Sequence, residues 1–299
     1  MNSKYILVSL LIYLPKITIF TNKISNMKLN ILISTHNEKV ANLSSLLLPE
    51  REDVSYIVSY QYANEQMLAD IPEDIKRKDV KIIPIQGIGL SRNRNNALKY
   101  ADGDIALIAD DDVAYTDEYL DKIIEVFTKN PQTDIALFKI KTRDTDPPMK
   151  RYPLAKCKYK ALKGYYPSSI EMAMRVAKVK DKIFFDERFG LGSEYLDRGE
   201  EDIFIRDCIN KSLQVDFYPY YIVEHPYQST GKNHLTQKSL RTRGAVSSYI
   251  YGISAYIRMI KFSLFMALRG RSNIYTLLKN TIWGVMYERR TRQKYRSNE

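Results

Sequence analysis

Residues 103–113 read GDIALIADDDV, and this stretch decides the fold. Asp102-Gly103 is a turn pair. Ile105–Ala109 is an unbroken apolar run, the pattern of a strand buried on both faces of a parallel sheet. Three adjacent carboxylates follow, Asp110, Asp111 and Asp112. They repel one another and need a reason to stand together. In extended chain Asp110 and Asp112 point to one side and Asp111 to the other. Two carboxylates on one side suit a hard divalent cation, Mn²⁺ or Mg²⁺, which takes oxygen ligands and keeps positions open for phosphate. Such an ion can neutralise a departing diphosphate. The plainer alternative is an Asp-rich turn before the next helix. A buried strand leading into the triplet favours the cation.

The flanking sequence repeats the same grammar. Leu29–Ser34 (LNILIS) predicts a buried strand that ends in Thr35-His36-Asn37-Glu38, and Val40–Leu48 reads as helix. Val54–Ser59 and Val80–Ile85 are two more strands, the latter ending in Gln86-Gly87-Ile88-Gly89. Ser91 is placed to cap a helix over Arg92–Ala101. Asp117–Lys129 carries Leu120, Ile123, Ile124 and Phe127 on one face and stops at Asn130-Pro131. Asp134–Ile140 is a further strand. Strands alternating with helices predict an α/β fold with a doubly wound, mostly parallel sheet flanked by helices. In that architecture ligands bind beyond the carboxyl ends of the strands.

Composition narrows the class. Hydrophobic residues at 44% and charged residues at 27% exclude a largely disordered chain. The two cysteines, Cys157 and Cys208, exclude a disulfide scaffold and a thiolate zinc site. Of the net charge of +11, Arg241–Glu299 supplies +10, from 12 Lys/Arg and 2 Asp/Glu. A basic, apolar tail on a nearly neutral body predicts a surface partner. Ala245–Leu268 is mostly apolar but is interrupted by Arg258 and Lys261, and Asn273–Tyr287 is a second apolar helix. Apolar faces with Trp283, Tyr287 and an Arg-rich edge describe helices lying on an anionic membrane surface. Packing on the protein's own core is the alternative. At the other end, Tyr5–Leu14 is too short to span a bilayer. Residues 1–26 read as an extension before Met27, either mis-started or a weak targeting segment. The expected organisation is therefore 1–26 extension, 27–240 catalytic domain and 241–299 basic amphipathic helical tail.

Four segments in order resemble a family 2 glycosyltransferase of GT-A fold. They are Leu29–Asn37, Gly89-Leu90-Ser91-Arg92-Asn93-Arg94-Asn95, Gly103–Asp112 with its D-x-D, and Phe185–Gly190 followed by Gly199-Glu200-Glu201-Asp202. The resemblance covers roughly residues 28–235. It implies inverting transfer of a sugar from a nucleotide-sugar to a hydroxyl of a glycan or a lipid-linked glycan precursor. It implies that Thr35, His36 and Glu38 lie by the nucleoside. Asp110 and Asp111 would lie by the nucleotide-sugar, and Asp110 and Asp112 would hold the metal, Mn²⁺ or Mg²⁺. Arg94 would sit near the diphosphate or brace the aspartates. His225, after the last strand, is a further candidate metal ligand, and His234 lies in a polar loop (Gln228–Thr236) that could close over the donor. One departure stands out: Ser59-Tyr60-Gln61 replaces the Asp that usually follows the second strand, which leaves the nucleotide open.

Inversion in one displacement needs a carboxylate to take the acceptor's proton. Asp202, at the start of a helix with Ile203, Phe204, Cys208 and Ile209 as its apolar positions, is the candidate, with Glu201 as the alternative or as an acceptor ligand. A helix N-terminus would lower its pKa. Pro167–Glu171 and Lys156–Lys163 are weaker acceptor-side candidates. The expected location is the cytoplasmic face of the plasma membrane. Two other functions compete. A nucleotidyltransferase of similar fold would also use metal and nucleotide. A nucleic-acid binder would use the basic end, but the acidic triplet repels phosphate, so no nucleic-acid partner is expected.

Overall fold

The computed structural model describes residues 27–142, 145–159, 165–227 and 235–296. The 1–26 extension, most of the Gln228–Thr236 loop with His234, and Lys160–Lys163 lie outside them.

Eight strands form one sheet in the order β3-β2-β1-β4-β7-β5-β8-β6. The strands are β1 (Leu29–His36), β2 (Val54–Tyr62), β3 (Val80–Gln86), β4 (Ile105–Asp110), β5 (Ile135–Lys141), β6 (Cys157–Lys158), β7 (Met172–Arg175) and β8 (Val215–Glu224). The helices are α1 (Leu43–Leu46), α2 (Leu90–Lys99), α3 (Asp117–Lys129), α4 (Val176–Val179), α5 (Glu200–Asn210), α6 (Gln237–Tyr251), α7 (Ala255–Leu268) and α8 (Ile274–Arg296). β1, β2, β3 and β4 pair in parallel, as do β5 and β8. β7 runs antiparallel between β4 and β5, and β6 antiparallel on the β8 edge. The sheet is thus mostly parallel, as the apolar runs predict.

Both faces of the sheet centre are covered, which is why β4 is apolar and buried at every position from Ile105 to Ala109 rather than at alternate ones. Leu29, Ile31 and Ile33 pack with Leu43, Leu120, Ile123 and Phe127 on one face. Leu32, Ile57 and Ile108 pack with Ala97, Leu98, Phe204 and Cys208 on the other. Two local expectations differ. Val40–Leu48 forms a 3₁₀ turn (Asn37–Asn42) and the four-residue α1 instead of a continuous helix. Gly89, not Ser91, is the cap residue of α2, because the Ser91 hydroxyl donates to the Phe189 carbonyl instead (2.7 Å).

The C-terminal helices are part of the body. Thr242 on α6 bonds Asp197, and Tyr249 donates to Asp207 Oδ2 of α5 (2.6 Å). Arg188 donates to Thr291 of α8 (2.6 Å), and Ser248 to the buried Glu288 (2.7 Å). α6 and α8 cross at Gly244 and Gly284. A Cβ at either would sit 1.9 Å from a carbonyl oxygen of the other helix, Thr281 or Arg241, so only glycine allows the approach. Val246 of α6 also presses against Gly199, the cap of α5.

Candidate active site

The chain order reverses between β1 and β4, the point beyond whose strand ends sheets of this kind place the ligand crevice. Ser34 is in register with Asp110, so Thr35 and the acidic triplet are neighbours. The strand ends at Asp110 and the chain turns, so the side-to-side alternation expected of extended chain stops there. Each carboxylate takes its own partner.

Asp111 points inward and is 6% exposed. It accepts from Thr35 Oγ1 (2.9 Å) and faces Lys39 Nζ at 3.5 Å. Burial raises its pKa, with the Thr35 bond and Lys39 opposing. Asp111 therefore holds the loop rather than facing the crevice. The Thr35 carbonyl accepts from Asn93 (2.9 Å), joining β1 to α2.

Asp112 is the open carboxylate, its side chain 52% exposed, and its Oδ1 lies 3.5 Å from His225 Nε2. A short antiparallel bridge brings them together: Ala114 and Glu224 exchange backbone hydrogen bonds of 3.0 and 2.9 Å. The His225 Nδ1 atom is 2.6 Å from the Pro226 carbonyl oxygen. With Nδ1–H given to that carbonyl, the protonated ring donates Nε2–H to Asp112, and loss of that proton frees the Nε2 lone pair for a metal. The hydrogen bond to His225 lowers the Asp112 pKa and raises that of His225.

Asp110 is tied to Arg94. The guanidinium donates to Asp110 Oδ1 (3.1 Å), Glu200 Oε1 (2.9 Å) and Ser169 Oγ (2.6 Å), with Glu201 at 3.8 Å. Arg94 is fully buried, and burial opposes its charge. Asp110, Glu200 and Glu201 outweigh that, so it stays cationic. Of the two roles expected for Arg94, the side-chain contacts are those of a brace. It locks the triplet to the first turn of α5. Gly190, at φ +97°, lets its loop pass between Ser91 and Glu200, where a Cβ would stand 3.0 Å from the Ser91 hydroxyl.

On α5, Glu200 is the buried brace and its pKa rises by burial and then by Glu201, with Arg94 opposing. Asp202 is half-buried, and burial, then the Glu201 charge, pushes its carboxyl up to about 7. The lowering expected from the helix terminus alone is overridden. A carboxyl near neutrality is well matched to proton uptake from a hydroxyl at physiological pH. His36 and Glu38 are exposed at the β1 end. Gln61, where the expected Asp is missing, is buried and donates to the Gly89 carbonyl (3.0 Å), bracing the loop before α2. The sequence reading places Glu200, Asn93 and Ser169 within its segments but gives none of them its bracing role, and Lys39, beside Glu38, lies outside those segments.

The residues fit a divalent cation in part. Asp112 and His225 offer an oxygen and a nitrogen 3.5 Å apart, close enough to share one ion. Among the described residues no three His, Cys, Asp or Glu side chains form a cage, so other ligands would come from diphosphate and water.

Comparison with known proteins bears on the family and the fold. Residues 61–189 match the model for glycosyl transferase family 2. The S. aureus TarS 1–349 structure is similar with a TM-score of 0.54 and 15% identity, over 86% of this chain and 92% of that one. The S. aureus TarS 1–349 complex with UDP-GlcNAc is similar with a TM-score of 0.57 and 16% identity, over 87% and 82%. The complex with UDP gives 0.54 and 17%, over 81% and 72%. Likeness at this identity speaks for the fold. No curated protein sequence matches the chain.

Proposed function

Because the chain is a glycosyltransferase of family 2 with a GT-A fold, we propose that it performs an inverting, metal-dependent transfer from a nucleotide-sugar to a hydroxyl of a glycan or lipid-linked glycan at the cytoplasmic face of a membrane. The TarS complexes hold UDP and UDP-GlcNAc, which makes a UDP-sugar the first donor to test. One observation carries the reading. Arg94 couples the triplet at the end of β4 to the start of α5, so the leaving-group side and the candidate base form one rigid unit.

In this reading the nucleoside lies along the exposed His36 and Glu38, while Thr35, expected beside them, is fully buried and holds the loop through Asp111; the diphosphate lies at Asp110 and Asp112. Asp112 and His225 would hold Mn²⁺ or Mg²⁺, which when bound offsets charge on the departing diphosphate. The acceptor oxygen forms a bond to the anomeric carbon as the bond from that carbon to the diphosphate oxygen breaks. The hydroxyl proton passes to the Asp202 carboxylate, and the nucleoside diphosphate leaves with the electron pair. Single displacement inverts the anomeric centre. Glu201 raises the basicity of Asp202 through its charge. The test is release of UDP from UDP-GlcNAc and related donors with Mn²⁺. The expected result is turnover that disappears in Asp202→Ala. Turnover unchanged in that variant would remove Asp202 as base.

A further inference from the structure

Between Gln237 and Glu288 there is no Asp or Glu, while Lys238, Arg241, Arg243, Arg258, Lys261, Arg269, Arg271 and Lys279 lie in it. Within this region α7 is divided sharply. Ala255, Met259 and Ser263, four apart, are buried toward α8. Ile253, just ahead of the helix, then Ile257, Ile260, Leu264 and Leu268 follow the same helical spacing on another side and are 74%, 61%, 43%, 49% and 88% exposed. Beside that stripe run Arg258, Lys261, Phe265 and Arg269. Arg258 stacks on Tyr251 and Arg269 on Phe265, and none of the three cations has a carboxylate partner among the described residues.

We propose that this outer face of α7 docks on an anionic phospholipid bilayer, the helix lying in the interface with its apolar stripe among the acyl chains and its cations at the headgroups. A row of large apolar side chains bordered by Arg and Lys is the surface such an interface recognises. A second copy of this chain fits poorly, because face-to-face contact would bring cation against cation with no acid to offset them. By length and composition alone Gln237–Leu268, which holds an 18-residue window of mean hydropathy 1.2, could also cross a bilayer. Packing opposes that: α6 is fixed to the body through Gly244, Thr242 and Tyr249, and Gly252, at φ +58°, ends it before α7. Docking would bring the enzyme to a membrane-borne acceptor, and in that respect it rests on the function proposed above. Its test needs no sugar chemistry, so the two fail separately.

The full chain is sedimented with vesicles of phosphatidylcholine alone and of phosphatidylcholine mixed with phosphatidylglycerol. Binding is expected only to the mixed vesicles and is expected to fall with added salt. The double variant Ile257→Glu, Leu264→Glu should bind about tenfold less or weaker. Arg258→Gln with Lys261→Gln should lose most of the preference for the anionic vesicles. Circular dichroism and thermal unfolding matched to wild type establish that these variants fold. Absence of binding, or binding unchanged in Ile257→Glu, Leu264→Glu, overturns the proposal. So does a dimer in the ultracentrifuge that the same variant dissociates, since the face would then belong to a second copy.

Discussion

Asp202→Asn should cut turnover severely and yet make the protein more stable above neutral pH. The folded-state pKa of Asp202 is raised to about 7 from an ordinary 3.8, by burial first and by Glu201 second, with Lys150 opposing. A raised carboxyl stays protonated in the folded chain after the unfolded chain has released its proton. Between about pH 4 and pH 7 the native state therefore binds more protons, and stability falls as pH rises through that window. Three units at 1.36 kcal/mol each set a ceiling of about 4 kcal/mol, and partial solvent access reduces it to roughly 1–3 kcal/mol. Asparagine has nearly the same shape and no charge, so it escapes that cost. Urea unfolding at about pH 4.5 and about pH 8, on either side of the window, checks the sign: about equal stability at the lower pH, and the variant ahead at the higher. In the wild type, donor turnover should rise with pH through about 7 as the base ionises. The loss in Asp202→Asn should be of the order of 10²–10⁴-fold. An asparagine variant no more stable than wild type at the higher pH, or a turnover profile breaking near 4, would refute the reasoning.

Other outcomes follow from particular contacts. Arg94→Met leaves Asp110, Glu200 and Glu201 facing one another without their cation, and should cost about 3–5 kcal/mol by urea unfolding; a loss under about 1 kcal/mol would show the brace to be unimportant. Gly244→Ala drives a methyl into the Thr281 carbonyl and should destabilise by about 1–3 kcal/mol or more. Thr116→Ala removes the side chain that accepts from the Tyr119 amide at the start of α3, and should cost about 1 kcal/mol with donor turnover unchanged.

The parallel half of the sheet was legible because each of its strands is a contiguous apolar run bounded by turn residues. α3 was legible to its ends because Thr116 and Asn130 bracket a strong helical period. β7 was not. It is four residues, MAMR, and is a strand only because β4 and β5 flank it, more than 30 residues away in sequence. Val40–Leu48 misled because its apolar residues serve a turn and a short helix equally well. In the site, the triplet could be read as chemistry, but not how its members divide. That division depends on Thr35, on Arg94 and on His225, which reaches Asp112 only through the Ala114–Glu224 bridge. The Asp202 carboxyl was read in the wrong direction because helix position is visible in sequence and burial beside Glu201 is not.

The central claim is that the crevice beside Asp112 and His225 takes a nucleoside diphosphate together with a divalent cation. Calorimetric titration of UDP into the protein, with and without Mn²⁺, measures this directly in wild type, Asp112→Asn and His225→Ala. The account predicts binding that needs Mn²⁺ and weakens about 10- to 100-fold or more in either variant. Equal affinity with and without the ion and in both variants, or no binding to wild type at all, would contradict it.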